Sequence, residues 1–291
     1  MRIKTIIIIA ISVFSLSCKK LLVEPDDKIR RINNKEELND AINGIYGLFN
    51  NVFNYYQYLS ASVKADDINI FCFEGYNQET DTCSFFGFDN VFWNNSHINK
   101  SMYINLYKTI QSANNLIVQA DKIQNIPHAN TCLGETYLIR SICYFYLTRL
   151  FGEIPLVLNI EINYEIKRSS VDDVYNVIEG DLLNAIRLLP SSKENARIPY
   201  DTPYRATAKA ILAEVYLNMA GFPLKDTEKN KLAAIYAGEV IDSAEYSNIY
   251  LVNDFHKLWD INYFNNRHVI YKKKIYFHLS SCISNCNRIN N

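Results

Sequence analysis

A mostly α-helical fold is predicted by three features of this 291-residue sequence. Apolar residues recur every three to four positions through most of the chain from Lys35 to Ser243, the period of helices that each bury one face. The periodic stretches are bracketed by helix start and stop signals. Glycine is scarce, with 9 residues against 21 Tyr and 15 Phe, and that balance suits packed helices better than a turn-rich all-β fold.

Asn33 and Asn34 are candidate caps for a first helix from Lys35 toward Leu59, with Leu38, Ile42, Ile45, Tyr46, Leu48 and Phe49 as its apolar stripe. Gly44 and Gly47 are small positions inside it. Residues 64–97 then break the period. They mix acids, amides, two glycines and many aromatics, and form the longest irregular segment of the body. A second helix is predicted over Met102–Ile117. A third starts near Leu133, contains the apolar run YLIRSICYFYLTRLF, and stops at Gly152 and Pro155. Ser170, followed by Asp172 and Asp173, is an N-cap with acids in the first turn. In the helix that follows, Val174, Val177, Ile178, Leu182, Ala185, Ile186 and Leu189 line one face, and Pro190 stands after its end. Pro203 opens an alanine-rich helix closed by Gly221, and a last helix runs from about Glu228 to Ser243.

Two of these helices share a pattern. Tyr146-Leu147 and Tyr216-Leu217 are each followed by a glycine and then Pro-Leu, at Pro155-Leu156 and Pro223-Leu224. The offset equals about two units of a roughly 34-residue helix-turn-helix repeat of the tetratricopeptide type. A tetratricopeptide-type array of helical hairpins with inserted loops is therefore the expected architecture.

The start of the chain has a different character. Arg2 and Lys4 precede an apolar run from Ile6 to Phe14, then small residues, the three-part pattern of a secretory signal. The run is too short to span a bilayer as a helix. Cys18 directly after Ser15-Leu16-Ser17 resembles a bacterial lipoprotein signal, although Ser15 stands where such signals usually carry leucine. On that reading residues 1–17 are removed, and Cys18 carries acyl chains (palmitate among them) that hold the protein on a membrane. The alternative is an ordinary signal peptide with an incidental cysteine. Residues 18–34 form a short charged tether, 35–265 the helical domain, and 266–291 a basic tail without Asp or Glu. That tail has no clear amphipathic period. It is expected to be disordered or foreign to the body, with a basic membrane-surface patch as the alternative.

Charge and motifs exclude several function classes. With 30 Lys and Arg against 31 Asp and Glu there is no basic footprint for nucleic acid. The seven cysteines form no C-x-x-C pair and no zinc spacing with histidine, so no metal is expected. Cys132 and Cys143 would lie about 16 Å apart on one helix, too far for a disulfide. Cys72 and Cys83 flank a polar loop and either pair or remain free thiols. No G-x-G-x-x-G, P-loop, H-E-x-x-H or serine-triad context is present, so neither a cofactor nor catalysis is expected.

The stretches LYKTIQSANNLI (106–117), ETYLIRSICYFYLTRLFGEIPLV (135–157), RSSVDDVYNVIEGDLLNAIRLLP (168–190) and RATAKAILAEVYLNMAG (205–221) resemble, in order and spacing, the SusD-like (RagB/SusD) family of Bacteroidetes outer-membrane nutrient-uptake lipoproteins. The resemblance covers roughly residues 1 to 265. It implies an outward-facing, lipid-anchored protein of the cell outer membrane that binds an oligosaccharide or other nutrient. It also implies a partner, a SusC-like TonB-dependent transporter, and no bond-breaking chemistry. Family members are considerably longer, so the chain is expected to be truncated or frameshifted after Asn266.

Sugar binding needs flat aromatic faces for C–H surfaces, with amides and carboxylates for hydroxyls. The segment from Phe71 to Asn95 supplies both, and Tyr76, Asn77, Phe88 and Trp93 are the candidate glycan-binding residues. Aromatics that merely pack this loop onto the helices are the competing explanation. Arg140 and Arg149 are expected to pair with acids or cap carbonyls between helices, with their stems on apolar surface. A helical-repeat adaptor that binds protein and no sugar is the alternative function, and a helical glycosidase ranks third.

Overall fold

In the array the sequence predicts, each helix must find a neighbour for its apolar face. The structure, a computed structural model, describes residues 31–53, 97–161, 165–191, 193–198 and 202–242. All described elements belong to one compact unit that begins at Ile32. Its helices are α1 (Lys35–Asn50), α2 (His97–Ile117), a single turn α3 (Ala120–Ile123), α4 (Ala129–Phe151), α5 (Val171–Leu188), α6 (Arg205–Ala220) and α7 (Lys229–Asp242). Two-residue strands β1 (Ile154–Pro155) and β2 (Arg168–Ser169) pair antiparallel, Ile154 opposite Ser169 and Pro155 opposite Arg168.

The helix ends follow local chemistry. Asn34 caps α1, its side chain accepting from the Glu37 N–H at 2.9 Å, while the Glu37 carboxylate accepts from the Asn33 N–H at 2.8 Å. Ser170 caps α5 in the same way, accepting from the Asp173 N–H at 3.1 Å. Gly152 closes α4 at φ 71°, a left-handed conformation that costs a side-chain-bearing residue more, and its N–H donates to the Thr148 carbonyl. Gly221 closes α6. The first helix ends at Asn50 with a 3₁₀ turn over Asn51–Phe53, short of Leu59, and residues beyond Phe53 lie outside those described. Helices α2 and α4 begin four to five residues earlier than their apolar stripes suggest, at His97 and Ala129.

Among the described residues, consecutive helices pack together: α1 with α2, α4 with α5, and α6 with α7. They stack through α2 on α4 and α5 on α6, and α1 also reaches α4. Sandwiched on several sides, α4 is the core helix. From Thr131 to Thr148 only Tyr137 and Tyr146 are less than fully buried. Close approach here depends on Gly134, where an added Cβ would sit 2.9 Å from the Leu189 Cγ and 3.0 Å from its backbone nitrogen.

The repeat period differs from the expectation in one respect. The similar helices α4 and α6 open successive hairpins, so they stand one hairpin apart rather than two. The extra length comes from the excursion 152–170, which carries β1 and β2, and from the connection 189–204 between α5 and α6. Insertions at the turns lengthen the sequence interval without changing how the helices stack.

Candidate functional site

A long excursion from a helical hairpin leaves backbone groups that no helix satisfies, and they must find other partners. Along 154–158 those partners are side chains of α2 and α4. The Tyr107 hydroxyl donates to the Pro155 carbonyl at 2.8 Å, and the Asn114 amide donates to the Val157 carbonyl at 2.7 Å. The Tyr144 hydroxyl donates to the same Val157 carbonyl at 2.8 Å and accepts from the Val157 N–H at 3.0 Å. The strand is therefore fastened to the array by side chains on one edge and by β2 at its start.

These fastenings continue into a buried network. Arg140 on α4 donates from Nη1 to the Asn114 Oδ1 at 2.7 Å. Its Nε and Nη2 make a bidentate pair with Asp181 on α5 at 2.8 and 2.7 Å. Asn114 is 2%, Arg140 7% and Asp181 4% exposed, so the charges face each other away from water. Burial pushes the Asp181 carboxyl up, with the Arg140 hydrogen bonds and charge pulling back against it. Burial pulls Arg140 down, but Asp181 more than offsets this, and the guanidinium ends above its ordinary range. The expected pairing of Arg140 with an acid is thus met deep in the core. Arg149 pairs more loosely with Glu214 at 3.9 Å, half exposed, and lies 5.0 Å over the Phe145 ring.

A second buried pair escaped the sequence reading. Glu135 on α4 is fully buried and accepts two hydrogen bonds from Arg197, from Nε at 3.1 Å and from Nη2 at 3.2 Å. Burial pushes the Glu135 carboxyl up while Arg197 and Tyr46 draw it down. The signal available was a carboxylate in a helix apolar on all faces, which cannot sit there without a partner. Cys132 and Cys143 are buried free thiols on α4.

Between the outer face of α2 and the fastened strand runs a groove of ≈ 410 Å³. Tyr103, Ile104, Tyr107, Lys108 and Gln111 form one wall, at the spacing that puts residues on one helix face. Leu156 to Glu161 form the other, with Ile166 at the edge. The Tyr103 and Tyr107 rings stand 4.8 Å apart, and Phe151 meets Tyr103 edge-on at 5.1 Å. Burial is the main cause that pushes the Tyr107 phenol far up, so it stays a neutral donor at any ordinary pH. Among the described residues no group of three or more His, Cys, Asp or Glu is placed to hold a metal ion. Among them, too, no helix is long and apolar enough to cross a membrane.

The residues singled out for glycan contact, Tyr76, Asn77, Phe88 and Trp93, lie outside the described residues, as do Cys18, Cys72 and Cys83.

Comparison with known proteins identifies the family. Residues 21–217 match the SusD-like family described as "Starch-binding associating with outer membrane". SusD-like protein P2 of Formosa agariphila is 31% identical over 161 residues, which is 54% of this chain and 30% of that protein. A SusD-like protein of Bacteroides ovatus is 29% identical over 174 residues, 55% of this chain and 30% of the relative. The crystal structure of a SusD homolog from Bacteroides thetaiotaomicron superposes with a TM-score of 0.62 at 26% identity, covering 81% of this chain and 45% of that one. The matched part is under half the length of each of these relatives.

Proposed function

Because the chain belongs to the SusD-like family, whose pattern it carries over residues 21–217, we propose that it binds an oligosaccharide at the outer membrane and passes it to a SusC-like TonB-dependent transporter. The single observation behind this reading is that match, whose family is described as starch-binding and associated with the outer membrane. The role is capture of a ligand, with no bond made or broken. The lipoprotein-like leader supports an anchor at Cys18 that faces the protein outward. The aromatic and amide residues Tyr76, Asn77, Phe88 and Trp93 are the proposed contacts of the loop before α2.

Calorimetry of the purified full chain against a panel of neutral oligosaccharides, malto-oligosaccharides first, tests the reading. Binding that weakens when Tyr76 and Trp93 are both changed to Ala is the expected result. No binding to any sugar, together with capture of peptides, would replace it with a helical-repeat adaptor. Cys18→Ser is expected to move the protein from the membrane fraction to the soluble fraction, and an unchanged distribution would remove the anchor.

A further inference from the structure

We infer that the groove between α2 and the segment 156–161 is a contact site for a neutral oligosaccharide. This rests on the glycan-binding reading and names for it contact residues beyond the 71–95 segment of the sequence. Three observations carry it.

The first is the chemistry of the walls. Tyr103 and Tyr107 are half-buried and neighbour one another, so ring surface lies at the groove. Ile104, Leu158 and Ile166 add exposed apolar surface at 40%, 43% and 37%. Pyranose rings have C–H faces that seat on such a floor, burying apolar area on both sides.

The second is the rim. Gln111, Asn159, Lys108 and Glu161 line the same groove and are exposed. None of the four side chains makes a hydrogen bond or ion pair among the described residues. A purely apolar ligand would shield these groups from water without replacing its hydrogen bonds. An anionic ligand would meet Glu161 and a cationic one Lys108. A neutral polyol, each hydroxyl both donor and acceptor, matches amides, an ammonium and a carboxylate together.

The third is preorganisation. The start of this wall is fastened at Pro155 and Val157 by Tyr107, Asn114 and Tyr144 before any ligand arrives, so less ordering there opposes binding. A volume of ≈ 410 Å³ falls within the roughly 300–1,000 Å³ of small-molecule sites.

The test uses the full chain, with maltoheptaose and the best neutral ligand from the panel as probes, and oligogalacturonate and chitosan oligomers as charged controls. The variants are Gln111→Ala/Asn159→Ala and Tyr103→Ala. Both amides are exposed, so the double variant keeps its fold, verified by an unchanged unfolding midpoint. Removing two sugar hydrogen bonds is expected to weaken neutral binding about tenfold. Hydroxyl-radical footprinting is expected to show Tyr103 protected by the neutral probe alone. If the wild type binds a sugar with affinity unchanged in both variants and Tyr103 unprotected, this site is overturned while the glycan-binding reading stands. If the wild type binds no neutral sugar at all, the glycan-binding reading falls and the site falls with it. Tighter binding of either charged oligomer, or displacement of the probe by an apolar peptide, would assign the groove to another ligand.

Discussion

Replacing Arg140 by Met tests whether the buried network holds the array together. The side chain is close in length and apolar, so stem packing survives while the guanidinium is lost. Asp181, 4% exposed, then keeps a charge whose two partners at 2.7 and 2.8 Å are gone. Breaking one half of such a pair costs about 3–5 kcal/mol. The Asn114 carbonyl oxygen also loses its 2.7 Å donor, a further cost of about 1–3 kcal/mol that overlaps with the first. Against a domain stability of about 5–15 kcal/mol this is a large fraction. Urea unfolding followed by far-ultraviolet circular dichroism is the assay, with a lower midpoint at unchanged slope as the expected result. Changing the pair together, Arg140→Met with Asp181→Leu, is expected to recover most of the loss, since no stranded charge remains. The pH response has a definite sign. Without the guanidinium, the Asp181 pKa in the folded chain rises further above its ordinary value of about 3.9. The deficit relative to wild type is therefore full near neutral pH and shrinks as pH falls through that raised value. A single variant within about 1 kcal/mol of wild type, or a double variant no more stable than the single one, would refute the reasoning.

Two glycines should respond in opposite directions. Gly134→Ala is expected to lose about 1–3 kcal/mol, because its Cβ would meet the Leu189 Cγ at 2.9 Å and backbone at 3.0 Å. Gly44→Ala meets nothing within 4 Å inside α1 and should gain about 0.5–1 kcal/mol, both read from urea midpoints. Alkaline titration should show a third effect. Burial first, then the charge of Glu135, pushes the Cys132 thiol up from 9.0 to about 12, and burial likewise raises Cys143 and Tyr144. A folded pKa above the unfolded one contributes stability that is complete below about pH 9 and lost as pH rises toward about 12. Cys132 and Cys143 should accordingly resist alkylation near neutral pH until the chain unfolds, as read by mass spectrometry of their peptides; labelling of the folded chain would contradict their burial.

The helices were legible because their signals are local. Ser170 with Asp173, and Gly152 and Gly221 at helix ends, act within one turn, and the structure uses all of them. Arg140 was legible for a related reason, since a guanidinium inside YLIRSICYFYL must have a partner. The identity of that partner was not, because Asp181 lies 41 residues away and looks like any acid on a solvated helix face. Asn114 carried a stronger hint. It falls on the stripe of Leu106 and Ile110, where an amide in a helix core needs a partner, and the strand after β1 supplies it. The glycan candidates rested on composition alone, in a segment without period, and composition says which chemistry is available without saying where it converges.

The polar residues buried in α2, α4 and α5 explain how a helical array can carry a groove at all. Stacked hairpins bury apolar stripes and satisfy their own backbones, so a smooth array offers ligands little beyond side-chain relief. An excursion such as 152–170 adds a wall, but its carbonyls and N–H groups cannot be left dry against the helices. Tyr107, Asn114 and Tyr144 meet that demand from positions that would otherwise hold leucine, and Arg140 with Asp181 satisfies Asn114 in turn. The groove wall and the core network are therefore one structure. A substitution at Asn114 that leaves the helices folded, such as Asn114→Leu, should release the strand at Val157 and reshape the groove while Gln111 and Asn159 stay intact.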